Sequence, residues 1–120
     1  MSAQNPVLAV KNLIDESLEA SKFAALRRFG VESARECLSI DGLYAVDGRL
    51  DAEPLAKADH RAAWSASDAS AILCQRKAEI AFRASFEAGE SIEQQDAAFA
   101  TAWYDAWRQQ AERLAQLLSA

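Results

Sequence analysis

The stretch 84-ASFEAGESIEQQDAAF-99 ends one helix and begins another within a few residues. Gly89 supplies the residue type that most readily takes the left-handed conformation closing a helix. Two positions on, Ser91 stands three residues before Gln94, the spacing of a capping box in which each side chain satisfies the other's free backbone N–H. A glycine stop followed at once by a polar start predicts two antiparallel helices joined by a tight turn.

Working back from Gly89, residues 67–88 are helical by local pattern. Ala69, Ala71, Leu73, Cys74, Ala78, Ile80, Ala81, Phe82, Ala84 and Phe86 spread over so wide an arc that the helix should touch more than one neighbour and lie centrally. Only Arg76, Glu79, Arg83 and Glu87 form a charged stripe, spaced by three and four residues, and this marks the solvent side. Working forward, residues 91–118 place Ile92, Phe99, Trp103, Trp107, Leu114, Leu117 and Leu118 within an arc of about 100°, the width of one buried face. Ala78, Ala81, Ala84 and Ala88 leave room for those rings. The aromatic ladder therefore reads as core, with a partner-binding groove as the alternative, and Tyr104 and Trp64 are the aromatics expected at the surface.

The N-terminal third predicts a further helix over 6–29. Asn5 is placed to cap it, Pro6 fits its first turn, Gly30 serves as its stop, and Val7, Val10, Ile14, Leu18, Ser21, Ala25 and Phe29 form its seam. A short helix is expected over 31–39. The segment 41-DGLYAVDGRLDAEP-54 breaks the pattern with two Asp-Gly pairs and a proline. It reads as a structured acidic loop, about 40–53, or as a small hairpin pairing 43–46 with 49–52. Helices over 54–64 and 67–88, separated by a restart at the Ser65–Asp68 capping pattern, complete an all-α fold. The expected architecture is a compact antiparallel bundle of four to five helices in a single domain spanning 1–120.

Composition narrows the function. A chain of 120 residues that is 51% hydrophobic and 26% charged has the make-up of a folded globular domain. Its net charge of -5 disfavours direct binding to nucleic acid or to anionic membranes, both of which attract basic surfaces. No stretch reads as a membrane span or as a signal peptide, so a cytoplasmic location is expected. The acid concentrates in Glu32, Glu36, Asp41, Asp47, Asp51, Glu53 and Asp59. Arg outnumbers Lys nine to four in an Ala-rich chain, a usage in keeping with a GC-rich bacterial or phage gene.

Chemical motifs are missing. Cys37 and Cys74 form no CxxC pair; a disulfide between them is not required, and reduced thiols are expected. His60 is the single histidine, and its neighbour Asp59 points elsewhere on a helix, so the pair makes no catalytic dyad by itself. A di-iron bundle needs two Glu-x-x-His pairs, and zinc needs about four suitable ligands. The segment 43–54 has Gly48 at the sixth position of a calcium loop but lacks acids at the first, third and twelfth. No phosphate-binding glycine loop and no GxSxG occurs. No cofactor, metal site or catalytic residue is assigned.

What remains is binding. The expectation is a non-enzymatic adaptor, regulator or inhibitor that docks on a partner protein through an acidic or aromatic surface, with Glu36, Asp41, Tyr44, Asp47, Asp51, Glu53, Asp59 and Tyr104 as candidate contacts. A second reading takes the acids as mimics of nucleic-acid phosphates that occupy the basic groove of a nucleic-acid-handling complex, as a phage-encoded anti-CRISPR-type inhibitor would. That reading requires the acids to share one face. A third is a small-molecule-binding bundle with a pocket lined by Trp103, Trp107, Phe82 and Phe86. The seam of the first helix also suits pairing with a copy of itself, so a homo-oligomer is compatible with the sequence.

Overall fold

A computed structural model describes residues 5–41 and 59–119, of which 20, 38, 41 and 59–65 are described by their backbone alone. The described residues form an all-α bundle of four helices. These are α1 (Pro6–Glu16), α2 (Phe23–Asp41), α3 (Asp59–Glu87) and α4 (Ile92–Ser119), with a 3-10 turn at Ala20–Lys22 before α2.

The α3–α4 hairpin forms the frame. Gly89 adopts φ +77, its N–H bonds to the Phe86 carbonyl at 3.0 Å, and the Glu90 N–H bonds to the Ser85 carbonyl at 3.2 Å. These bonds satisfy carbonyls that the last turn leaves open, the Schellman arrangement. The Ser91 hydroxyl then accepts from the Gln94 N–H at 3.1 Å, while the Gln94 side chain accepts from the Ser91 N–H at 2.8 Å. Both halves of the expected stop-and-start signal are present. At 29 and 28 residues, α3 and α4 are each about 42 Å long.

The shorter helices cover only part of that length. With 11 and 19 residues, α1 and α2 reach about 16 and 28 Å. α1 packs mainly on α4, whereas α2 packs mainly on α3 and, less extensively, on α4. All four helices contribute to one core, with Val10 and Ile14 from α1, Leu26 and Phe29 from α2, Ala66 and Cys74 from α3, and Trp107 and Leu114 from α4.

The expected helix over 6–29 does not run through. Asn5 caps it as anticipated, its side chain accepting from the Val7 N–H at 2.9 Å, but the helix ends at Glu16 and Ser17 caps its C-terminus. Leu18, read as part of the seam, is 53% exposed. The break leaves α1 packed mainly on α4 and α2 mainly on α3. Ser17, Ala20 and Ser21 bring little apolar surface to oppose the break.

Gly30, read as a stop, is buried inside α2, which continues to Asp41 and absorbs the short helix expected over 31–39. Glycine inside a helix costs about 1 kcal/mol. The core contacts of Leu26 and Phe29 on one side and Ser33 on the other outweigh that cost. The restart at Ser65–Asp68 is likewise absent, since α3 is continuous from Asp59 and buries both Ala66 and Ser70. The proposed hairpin of 43–46 with 49–52 and the helix start at Pro54 lie outside the described residues.

A polar layer fixes how α2, α3 and α4 meet. Gln110, 2% exposed, donates through Nε2 to the Ser33 hydroxyl at 2.7 Å and to the Ser70 hydroxyl at 3.1 Å. Ser33 in turn donates to the Phe29 carbonyl at 2.8 Å. Sliding any of these helices by a turn would strand buried polar atoms, at about 1–3 kcal/mol each.

Candidate functional site

Beyond the reach of α1 and α2, the hairpin continues as a two-helix arm that, among the described residues, buries little. In α3, Ala66, Ser70, Leu73, Cys74 and Ala78 are buried, and after Ala78 only Ser85 is. In α4 the buried residues are Ala106, Trp107, Gln110 and Leu114, all in its C-terminal half. The arm nevertheless keeps the apolar composition of a core. Ile80 is 47% exposed, Phe86 64% and Ile92 73%, with Phe82 also exposed and Phe99 half-buried. Scattered singly, such side chains are ordinary; Ile80, Phe82, Phe86 and Phe99 instead share one groove.

The arm carries an open groove of about 740 Å³, lined by Ile80, Phe82, Phe86 and Phe99 among the stripe residues Arg76, Glu79, Arg83 and Glu87. The Arg76 guanidinium donates to Glu79 at 2.6 Å with both side chains about two-fifths exposed. In so much water this pair adds under about 1 kcal/mol. The charged stripe faces solvent as the sequence indicates.

The aromatic ladder spans the boundary between arm and core. Trp107 is 5% exposed and belongs to the core, Trp103 is partly buried against it, and Phe99 lines the groove. Trp103 meets Trp107 edge-on, ring centres 6.1 Å apart. Its other edge contact is Tyr104, at 5.2 Å and 88°. Neither tryptophan lines the Phe82–Phe86 groove, so this groove does not bring together the four residues named for a small-molecule pocket. The same gradient appears across the hairpin, where Ala78 is buried, Ala81 half-buried, and Ala84 and Ala88 exposed.

Of the acidic and tyrosine candidates, Glu36 and Tyr104 are described with their side chains. Glu36 bridges three helices from α2, accepting from Arg113 of α4 at 2.6 Å and pairing with Lys77 of α3 at 2.6 Å. Burial pushes its carboxyl up, yet the hydrogen bonds and charges of Lys77 and Arg113 outweigh this and hold it below its ordinary value. Its charge is directed into the molecule. Tyr104 is exposed as expected, beside a shallow concavity formed with Asn5, Pro6 and Arg108. Tyr44, Asp47, Asp51 and Glu53 lie outside the described residues, as do the side chains of Asp41, Asp59, His60 and Trp64.

Cys37 and Cys74 are both free and buried. Burial raises the Cys74 thiol to about 12, against the smaller opposing effects of Lys77 and Ser70, so it stays protonated at neutral pH. Among the described residues no group of three or more His, Cys, Asp or Glu is placed to hold a metal ion, and no helix is long and apolar enough to cross a membrane.

The arm was not anticipated, because Ile80, Phe82, Phe86 and Ile92 all read as core by periodicity. A signal was present in the lengths. Among the described residues, helices of 29 and 28 residues outrun partners of 11 and 19, which leaves part of their length without an opposing helix. Compared with models of known protein families, with curated proteins and with solved structures, the chain matches none.

Proposed function

We propose that this protein is a non-enzymatic interaction protein that docks through the apolar arm at the end of the α3–α4 hairpin. The observation that carries the reading is the groove that gathers Ile80, Phe82, Phe86 and Phe99 from two helices joined by a capped turn, with Phe86 64% exposed. A surface of this kind binds by burying anchors already fixed in position, so little conformational entropy is lost on association. The mimic reading has less behind it, since Glu36 is engaged by Lys77 and Arg113.

The test is site-specific photo-crosslinking in cells that naturally express the protein, with a benzophenone amino acid at Phe86 and, as a control, at Leu8, an exposed apolar residue on α1. A discrete protein adduct from position 86 and none from position 8 is expected. No adduct from position 86, or the same adducts from both, would overturn the assignment of the arm.

A further inference from the structure

We infer that the arm's partner is a second copy of this chain, paired antiparallel along the exposed stripe of α3. The inference rests on the reading of the arm as a docking surface and identifies its occupant.

The order of charges carries the argument. From N- to C-terminus the stripe reads Arg76, Glu79, Arg83, Glu87, and read backward every position changes sign. An antiparallel copy therefore sets Arg76 against Glu87 and Glu79 against Arg83, each twice about a two-fold axis. A single register serves both pairings. The midpoint of 76 and 87 falls at 81.5 and that of 79 and 83 at 81, a mismatch of half a residue, or about 0.75 Å along the helix. A parallel copy would instead place arginine on arginine and glutamate on glutamate. A foreign partner would require no such reversal of sign.

The apolar residues fit the same axis. A two-fold perpendicular to both helices keeps each edge of the stripe against the same edge of the copy. Ile80, on the Arg76–Glu87 edge of the stripe, within two residues of the axis and 47% exposed, then lies against its own counterpart. Both side chains of the Arg76–Glu79 pair within one chain are about two-fifths exposed, so that pair is screened by solvent.

Sedimentation equilibrium over a micromolar concentration series, with Arg83→Glu and Glu79→Arg studied singly and mixed, tests the pairing. Wild type is expected to dimerise, less tightly as salt rises. Each single variant sets two like-charge pairs across the axis and should weaken dimerisation by about tenfold or more. Mixed in equal amounts, the two variants restore every opposite-charge contact and should form a heterodimer. Both substitutions lie on the solvent side, and unchanged circular dichroism confirms that each variant folds.

A monomeric wild type, dimers that ignore both substitutions, or variants that fail to associate on mixing would each overturn the inference. If the Phe86 crosslink joins another protein to a monomeric wild type, self-pairing fails while the docking reading stands. An intramolecular crosslink to residues 42–58 would overturn both.

Discussion

The two ends of the α3–α4 hairpin have nearly the same kind of sequence and opposite fates. At the packed end, Cys74, Trp107 and Leu114 share a core with α1 and α2, and Leu73 is buried too; at the other, Ile80, Phe86 and Ile92 stand in solvent. Helical periodicity is equally clear at both. The difference lies in which parts of the frame the short helices can reach, so amphipathicity shows which face wants cover but not whether cover arrives.

The sharpest way to break this contrast is to truncate tryptophans on either side of the boundary. Trp107→Ala should cost about 3–5 kcal/mol, the usual loss for a buried aromatic whose cavity closes only in part. Trp103 is partly buried, and Trp103→Ala should cost about half as much. Urea unfolding measures both. Equal losses would mean that the core extends further along the hairpin than its burial indicates.

A smaller effect is expected at Glu36, where α2 is tied to the hairpin short of the arm. Glu36→Gln should cost about 1–2 kcal/mol at neutral pH, the range of a charge-assisted bond that is partly screened. The pH dependence follows from the direction of the shift. Because the folded carboxyl titrates below its ordinary value of 4.5, its stabilisation is complete above that value and disappears as pH falls through the lowered one. Thermal melts from pH 7 to pH 3 should show a wild-type acid slope that the variant partly lacks. Identical slopes would show that the Glu36–Lys77–Arg113 contacts add nothing to folding.

Much of the frame was legible in the sequence because its signals are local. The Asn5 cap, the Gly89 stop and the Ser91–Gln94 box involve residues within a few positions of one another, and all occur. The readings that failed depend on distant partners. Gly30 looks like a stop until Leu26 and Phe29 are seen in a core shared with Cys74 and Trp107, and Ser33 is seen bonded to Gln110. The break at Ser17 makes sense only once α1 must reach α4 while α2 reaches α3. The candidate site was the least legible part. Phe86 and Leu73 have the same chemistry and sit on the same helix, and nothing nearby in sequence separates them. Glu36 was read as a surface acid because its partners, Lys77 and Arg113, lie 41 and 77 residues away.

The smallest expected effect bears most directly on why the arm is apolar. If its side chains served folding, removing one would unfold the protein to a measurable degree. Phe86 is 64% exposed, and Phe86→Ser, measured at low protein concentration, should change stability by less than about 0.5 kcal/mol, as for an ordinary surface position. At high concentration the outcome should differ. Association that involves only the folded state raises wild-type stability by mass action, so its melting temperature should climb with concentration while that of the variant stays flat. A variant destabilised at every concentration would place Phe86 in the fold. A variant indistinguishable from wild type at every concentration would remove it from both folding and association, leaving the exposed apolar run without a physical role.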